Sequence, residues 1–380
     1  MSNTIKIKVK DQNPLTALKD FFGSLLNLQD IGALFISQHL PMKSVVMPTL
    51  ITDSDNLQRI DPLAPAFPLN GAKLVARLTH KSIGKKVAAV LRPCEIRAFI
   101  ELVKLKQGRL EELIIIGVDC LGAYNNEDYK SFVDKNGPES TRLFYQNILD
   151  GKKGLIDGID LAPACKACEH PVPETADIII ALWGIDINKE LFVITQSPKG
   201  DDIIDKLNFN KTDEPATRLE AVTSLKADKI ACRDKMFAQI DEETNSIEKL
   251  TKYLAGCVNC YNCRVACPVC YCKECVFVTD VFNHEPFQYL KWADRKGILK
   301  MPTDTIFFHI TRMAHISLAC VGCGQCSNAC PNNIPLTELF RSAAFRAQKA
   351  FDYEAGRDLA ESPPLAVFHE DEFSEVTSVK

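Results

Sequence analysis

Several things are scarce in this sequence, and each scarcity excludes something. The 380 residues carry a net charge of only −4, with basic and acidic side chains interspersed, so no basic face or DNA-binding motif offers itself to nucleic acid. The longest apolar runs, such as Leu113–Val118 and Ile178–Trp183, are strand-length, far short of the roughly 20 residues that cross a bilayer as a helix. The first ten residues, MSNTIKIKVK, have no apolar signal core. That predicts a soluble, cytoplasmic chain in a reducing compartment, with no membrane span. No G-x-G-x-x-G follows any predicted strand, so a dinucleotide fingerprint is missing. Nor does a catalytic triad or carboxylate pair stand out, which argues against side-chain acid–base catalysis.

Cysteine, by contrast, is abundant, with sixteen residues. Two stretches read C-x2-C-x2-C-x3-C-P: Cys257, Cys260, Cys263, Cys267, Pro268 and Cys320, Cys323, Cys326, Cys330, Pro331. This is the spacing of bacterial two-cluster ferredoxins. A loop with a thiolate every third residue wraps one cubane, while the fourth cysteine, followed by proline, points away to ligate the other cluster. The expected ligand sets are therefore Cys257, Cys260, Cys263 and Cys330 for cluster one, and Cys320, Cys323, Cys326 and Cys267 for cluster two. Structural zinc usually pairs two short C-x2-C hooks across a longer spacer, which four cysteines in one run, twice repeated, fit badly.

The N-terminal half reads as α/β. Residues 13–40 show apolar spacing for an amphipathic helix, and Ser44–Ile51 is β-branched and reads as a strand. Lys86–Leu91, Glu95–Lys106 and Leu113–Val118 form a strand–helix–strand unit, hence a parallel pair. Cys94 follows the first strand and Cys120 the second, so both fall at the carboxyl edge of the sheet, where open α/β sheets bind ligands. Each alone could be a buried apolar filler; their common edge suggests more. Cys165 and Cys168 form a C-x2-C that suits a redox pair or zinc, but with Cys94 and Cys120 they complete four thiolates for a further [4Fe-4S] cluster. His170 reads as a hydrogen-bonded surface histidine rather than a ligand. Ser197–Asp202 reads as a loop, residues 203–255 as charged and mostly helical, and Ile334–Tyr353 as a helix. Four cysteines remain, Cys232, Cys270, Cys272 and Cys275, either ligands of a fourth cluster or structural thiols.

At Arg92-Pro-Cys-Glu-Ile-Arg97, Gly117-Val-Asp-Cys120 and Cys165-Lys-Ala-Cys168 the chain resembles the beta-subunit family of coenzyme F-420-reducing hydrogenases and formate dehydrogenases. The paired ferredoxin motifs make it most similar to the formate dehydrogenase beta subunits. The resemblance covers roughly residues 10–200. It implies FAD beside one [4Fe-4S] cluster on Cys94, Cys120, Cys165 and Cys168, a hydride carrier (coenzyme F-420 or NAD(P)), and a catalytic formate dehydrogenase or hydrogenase subunit as partner. Arg92 and Arg97 become candidate contacts to a flavin phosphate or an acidic deazaflavin tail, with a solvated surface role as the alternative. The expected architecture is an α/β flavin- and cluster-binding domain over residues 1–225. An α+β ferredoxin-like domain with two [4Fe-4S] motifs and an insertion follows over 226–345, then an acidic partner-docking tail over 346–380, with Phe368 and Phe373 as anchors. A second function class is a flavin-free electron wire docking such an enzyme to a heterodisulfide-reductase-type bifurcating complex; bound flavin separates the two.

Overall fold

The structure is a computed structural model that describes residues 3–41, 45–272, 275–278, 285–296 and 304–366. Its first half alternates β1 (Thr4–Lys8), α1 (Pro14–Leu26), β2 (Ile31–His39), β3 (Val46–Ile51), α2 (Ala72–Leu78), β4 (Lys86–Leu91), α3 (Pro93–Lys104) and β5 (Leu113–Val118). Then come α4 (Asn126–Asn136), α5 (Ser140–Leu149), α6 (Pro163–Lys166), β6 (Ile178–Ala181), β7 (Glu190–Thr195), α7 (Pro198–Leu207) and the short β8 (Lys211–Thr212). Among the described residues, the elements that follow are helices: α8 (Ala216–Thr244), α9 (Ile247–Tyr253), α10 (Asn262–Ala266), α11 (Pro286–Lys296), α12 (Asp304–Ile316), α13 (Gln325–Asn328) and α14 (Leu336–Ala350).

The strands form one mixed sheet in the order β3-β2-β4-β5-β6-β7-β1-β8. Its centre, β2, β4, β5 and β6, is parallel, and antiparallel strands flank it on both sides. Every residue of β5 is buried, as expected where a parallel sheet is covered on both faces. Side chains alternate across it: Ala88, Val90, Ile114 and Ile116 pack with α1 on one face. Val87, Ala89, Leu91, Leu113 and Ile115 pack with α2 and α3 on the other. That second core runs on without a break through Cys263, Cys267, Phe308 and Phe340, so the cysteine-rich half is built onto one face of the sheet.

Two expectations needed correcting. The helix foreseen over 13–40 stops at Leu26, and residues 31–39 are the strand β2; a single apolar window had merged an amphipathic helix with the continuous run of a buried strand. Ser197–Asp202 is no loop but the start of α7, where the Ser197 hydroxyl accepts from Gly200 N at 3.2 Å as an N-cap and Pro198 opens the first turn. Past α14, Tyr353, Ala355 and Gly356 turn back onto α3: the Tyr353 hydroxyl and Gly356 N both donate to Glu101, at 2.6 and 2.7 Å. Phe368 and Phe373 lie outside the described residues.

Candidate metal centres

The first group of thiols is assembled at the carboxyl edge of the sheet. Pro93 opens α3 directly after β4, placing Cys94 in the first helical turn. Beyond β5, the Asp119 carboxylate accepts from Leu182 N at 2.8 Å and Trp183 N at 3.2 Å. It also pairs with Arg218, whose Nη2 lies 3.0 Å from Oδ1. This clamp fixes the turn bearing Cys120, whose N donates to Pro171 O at 2.8 Å. Gly117 lets the Pro173–Ala176 segment, which follows the Cys165–Cys168 pair, close over β5, since a Cβ there would lie 2.2 Å from the Pro173 Cβ. Burial pushes the Cys165 thiol up to about 11, with Cys120 and Cys168 adding to the shift. Cys94 is pushed well above its usual range by burial, then by Cys323, Cys120, Glu95 and Cys168. Cys120 and Cys168 thus lie within electrostatic reach of both Cys94 and Cys165.

The other two groups form where α10 and α13 pack together. A small cavity is ringed by Cys257, Cys260, Cys263 and Cys330. Burial raises Cys263 to about 11, opposed by Arg312 and reinforced by Cys257, Cys260 and Cys330. Burial likewise lifts Cys320 to about 11 and Cys326 to about 12, and Cys267 acts on both. Each fourth cysteine therefore sits with the opposite loop. The groups run in a row: Cys94 feels Cys323, and a Cβ on Gly324 would come 2.7 Å from Ala164, beside Cys165.

The donor set fits an iron–sulfur group. Buried thiols that resist ionisation become ligands where cationic iron compensates the charge. Among the described residues, no three Cys, His or carboxylate side chains gather tightly enough for a single metal ion, whereas a cubane spreads its four thiolates over four irons. Several buried donors also find no protein partner among the described residues: Arg312 Nε and Nη1 and Arg341 Nη1. Cluster sulfur is an acceptor such donors can use. His309 meets Cys257 Sγ through Nε2 at 3.3 Å, and burial holds its pKa down at about 4, so the ring is neutral.

The remaining candidates do not gather at one place. Arg92 is taken up by three backbone carbonyls, Ala64 O at 2.8 Å, Ala66 O at 2.7 Å and Gly122 O at 3.3 Å. Arg97 pairs with Glu354 at 3.4 Å and lines a pocket of about 220 Å³ with His170, Arg233 and Arg341. His170 is more buried than expected, and burial next to Arg97 drives its pKa down to about 2. Cys270 lies beside Cys267, whereas Cys232 on α8 lines a cleft that includes none of Cys270, Cys272 and Cys275. That cleft, about 1210 Å³, opens between the ends of β5 and β6 and α8. Lys166 and Lys229 line it, and Lys229 Nζ donates to Cys165 O at 2.6 Å, so it abuts the first cysteine group. Trp183 Nε1 and Asn188 Oδ1, both from residues of its wall, are buried without a partner among the described residues.

Sequence reasoning missed Arg312, Arg341 and His309. His309 and Arg312 are three residues apart in α12, on the same face as Phe308 and Ile316. Charged or titratable side chains at the apolar positions of a helix were the available signal.

Comparison with known proteins agrees with this construction. Residues 253–334 match the family model described as a 4Fe-4S dicluster domain, so fold and site define an iron–sulfur protein with an α/β domain. Residues 84–217 match the family model for the C terminus of the coenzyme F420 hydrogenase/dehydrogenase beta subunit. The resemblance read from the motifs holds. The F420-dependent formate dehydrogenase subunit beta of Methanocaldococcus jannaschii is 29% identical over 350 residues, 84% of this chain and 85% of that one. The F420-dependent formate dehydrogenase 1 subunit beta of Methanococcus maripaludis is 26% identical over 351 residues, 84% of each. A chain of the xenon-derivatised F420-reducing [NiFe] hydrogenase complex of Methanosarcina barkeri aligns at 14% identity with a TM-score of 0.45, covering 64% of this chain and 93% of that one; a likeness this slight carries no argument. Among the described residues, no helix is long and apolar enough to cross a membrane.

Proposed function

We propose that this chain is the electron-transfer beta subunit of an F420-dependent formate dehydrogenase or related hydrogenase. In this reading it takes electrons between a hydride carrier and a catalytic partner. The observation that carries it is the row of three cysteine groups beginning at the cleft beside Cys165 and ending at the Cys257 loop. FAD fits the cleft: the volume is ample for a dinucleotide, Trp183 places a large ring in its wall, and Lys152, Lys153, Lys166 and Lys229 can meet a diphosphate. When bound, a flavin exchanges two electrons with a hydride carrier and single electrons with iron–sulfur clusters.

The chain's own residues bind and order these groups. Cys94, Cys120, Cys165 and Cys168 would hold the flavin-side cluster, Cys320, Cys323, Cys326 and Cys267 the middle one, and Cys257, Cys260, Cys263 and Cys330 the outermost. Lys229 ties α8 to the Cys165 segment and so keeps cleft and first cluster in register. Near the outermost group, Val258, Val265, Phe307 and Ile310 are exposed apolar side chains, the kind of surface that a partner protein covers. No side chain is needed as acid or base.

The test is anaerobic mixing of the flavin-loaded chain with reduced coenzyme F420, following loss of visible iron–sulfur absorbance. We expect bleaching with reduced F420, and Trp183→Ala to retain at most about a tenth of the wild-type flavin, the loss of a large ring from the cleft wall. A chain that binds no flavin and stays oxidised with F420 refutes the reading.

A further inference from the structure

Two buried arginines occupy the two junctions in the row of cysteine groups, and each keeps at least one N–H without a protein partner among the described residues. Arg312 of α12 is 3% exposed. It lies between the rings of Phe308 and Phe340, 5.7 and 4.7 Å from their centroids. Its Nη2 donates to Cys263 O at 3.2 Å, while Nε and Nη1 find no partner among the described residues. The guanidinium acts on Cys263 of the outermost group and on Cys267 and Cys326 of the middle group. At the other junction, Arg341 of α14 pairs with Glu169, next to Cys168, and its Nη1 is unpartnered among the described residues. It also presses on the middle loop: a Cβ at Gly322 would lie 2.8 Å from Arg341 Cδ and Nε. Arg341 thus touches the middle loop while lying within reach of Cys168 and Cys165 of the flavin-side group.

A permanently charged guanidinium buried without a matching carboxylate is costly. At Arg312, no carboxylate pairs with it among the described hydrogen bonds and ion pairs. The cost is offset if the orphan N–H groups meet negative charge that the polypeptide alone does not supply. Clusters held by four thiolates carry such charge, and it grows by one unit on reduction. A fixed cation beside a cluster therefore favours its reduced form and raises its potential.

Resting on the cluster reading above, we infer that Arg312 and Arg341 are positioning residues that tune cluster potentials pairwise. Arg312 raises the outermost and middle clusters, and Arg341 raises the middle and flavin-side clusters. The middle cluster, facing both, is raised most and serves as the well through which electrons pass in either direction.

The experiment is an EPR-monitored redox titration of the anaerobic full-length chain and of its Arg312→Gln, Arg312→Lys, Arg341→Gln and Arg341→Lys variants, each with iron quantified. Arg312→Gln should shift the outermost and middle clusters down by roughly tenfold in the one-electron equilibrium, about 59 mV, leaving the flavin-side cluster in place. Arg341→Gln should lower the middle and flavin-side clusters and spare the outermost. Each lysine variant, keeping the charge, should recover at least half of the shift. Unchanged potentials at full iron content, or one shift common to all three clusters, overturn the inference. So does loss of iron in a glutamine variant, which would make the arginine a structural clamp. A wild-type chain without clusters is a different failure, that of the function itself.

Discussion

At the scale of single residues, the most consequential contact is one that no motif announces. Arg218, the third residue of α8, reaches the buried Asp119 carboxylate at the end of β5, which also receives two backbone N–H groups from Leu182 and Trp183. The pair joins the helix lining the cleft to the turn holding Cys120. Removing one member of a buried ion pair leaves the other charge uncompensated, at a cost of about 3–5 kcal/mol. Arg218→Ala should therefore lose about that much in urea unfolding of the intact chain, and a loss below about 1 kcal/mol would contradict the clamp. Gly117 makes a steric claim of the same locality. With Pro173 only 2.2 Å from the place a Cβ would take, Gly117→Ala must push the Pro173–Ala176 segment off the sheet, and with it Pro171, whose carbonyl accepts from Cys120 N. The expected result is a drop in iron content with the ferredoxin-type signals retained; unchanged iron would mean that the segment yields freely.

At the scale of elements, the sequence was readable where a single periodicity held. The buried strands Lys86–Leu91 and Leu113–Val118 were placed to the residue because short apolar runs set off by Gly84, Pro93 and Gly108 have few other readings. The join at Asn27–Asp30 was not, because apolar residues continue on both sides of it and only a change of period marks the turn. Ser197-Pro198 was read for its turn chemistry, though the same pair is a helix start. The C-x2-C-x2-C-x3-C-P spacing carried local information about each cysteine loop, and the pairing of α10 with α13 follows from it. Cys267 acts on Cys320, Cys323 and Cys326 across that pairing. Cys267→Ser should accordingly disturb the EPR signal of the Cys320–Cys326 cluster and spare that of the Cys257–Cys263 cluster. Loss of the latter alone would reverse the ligand assignment.

At the scale of the whole molecule, what no local pattern revealed is how the parts stack. One face of the sheet shares its core with the cysteine-rich half, which brings Cys323 to Cys94 and sets three groups in sequence. Long-range packing of this sort leaves no periodic trace. The same holds for the cleft at the sheet edge and for Arg312 and Arg341 at the junctions, built from residues far apart in the chain. Cys232 shows the converse: counting cysteines placed it with Cys270, Cys272 and Cys275, while the fold sets it in the wall of the cleft.

The central claim is that four thiolates from the α/β half hold a cluster of their own, in line with the two of the ferredoxin type. Iron and acid-labile sulfide should be counted in anaerobically prepared wild-type chain and in Cys94→Ala and Cys168→Ala. The account predicts about twelve irons per wild-type chain and about eight in either variant, three cubanes reduced to two. Equal iron in all three proteins, or zinc in its place, would contradict it.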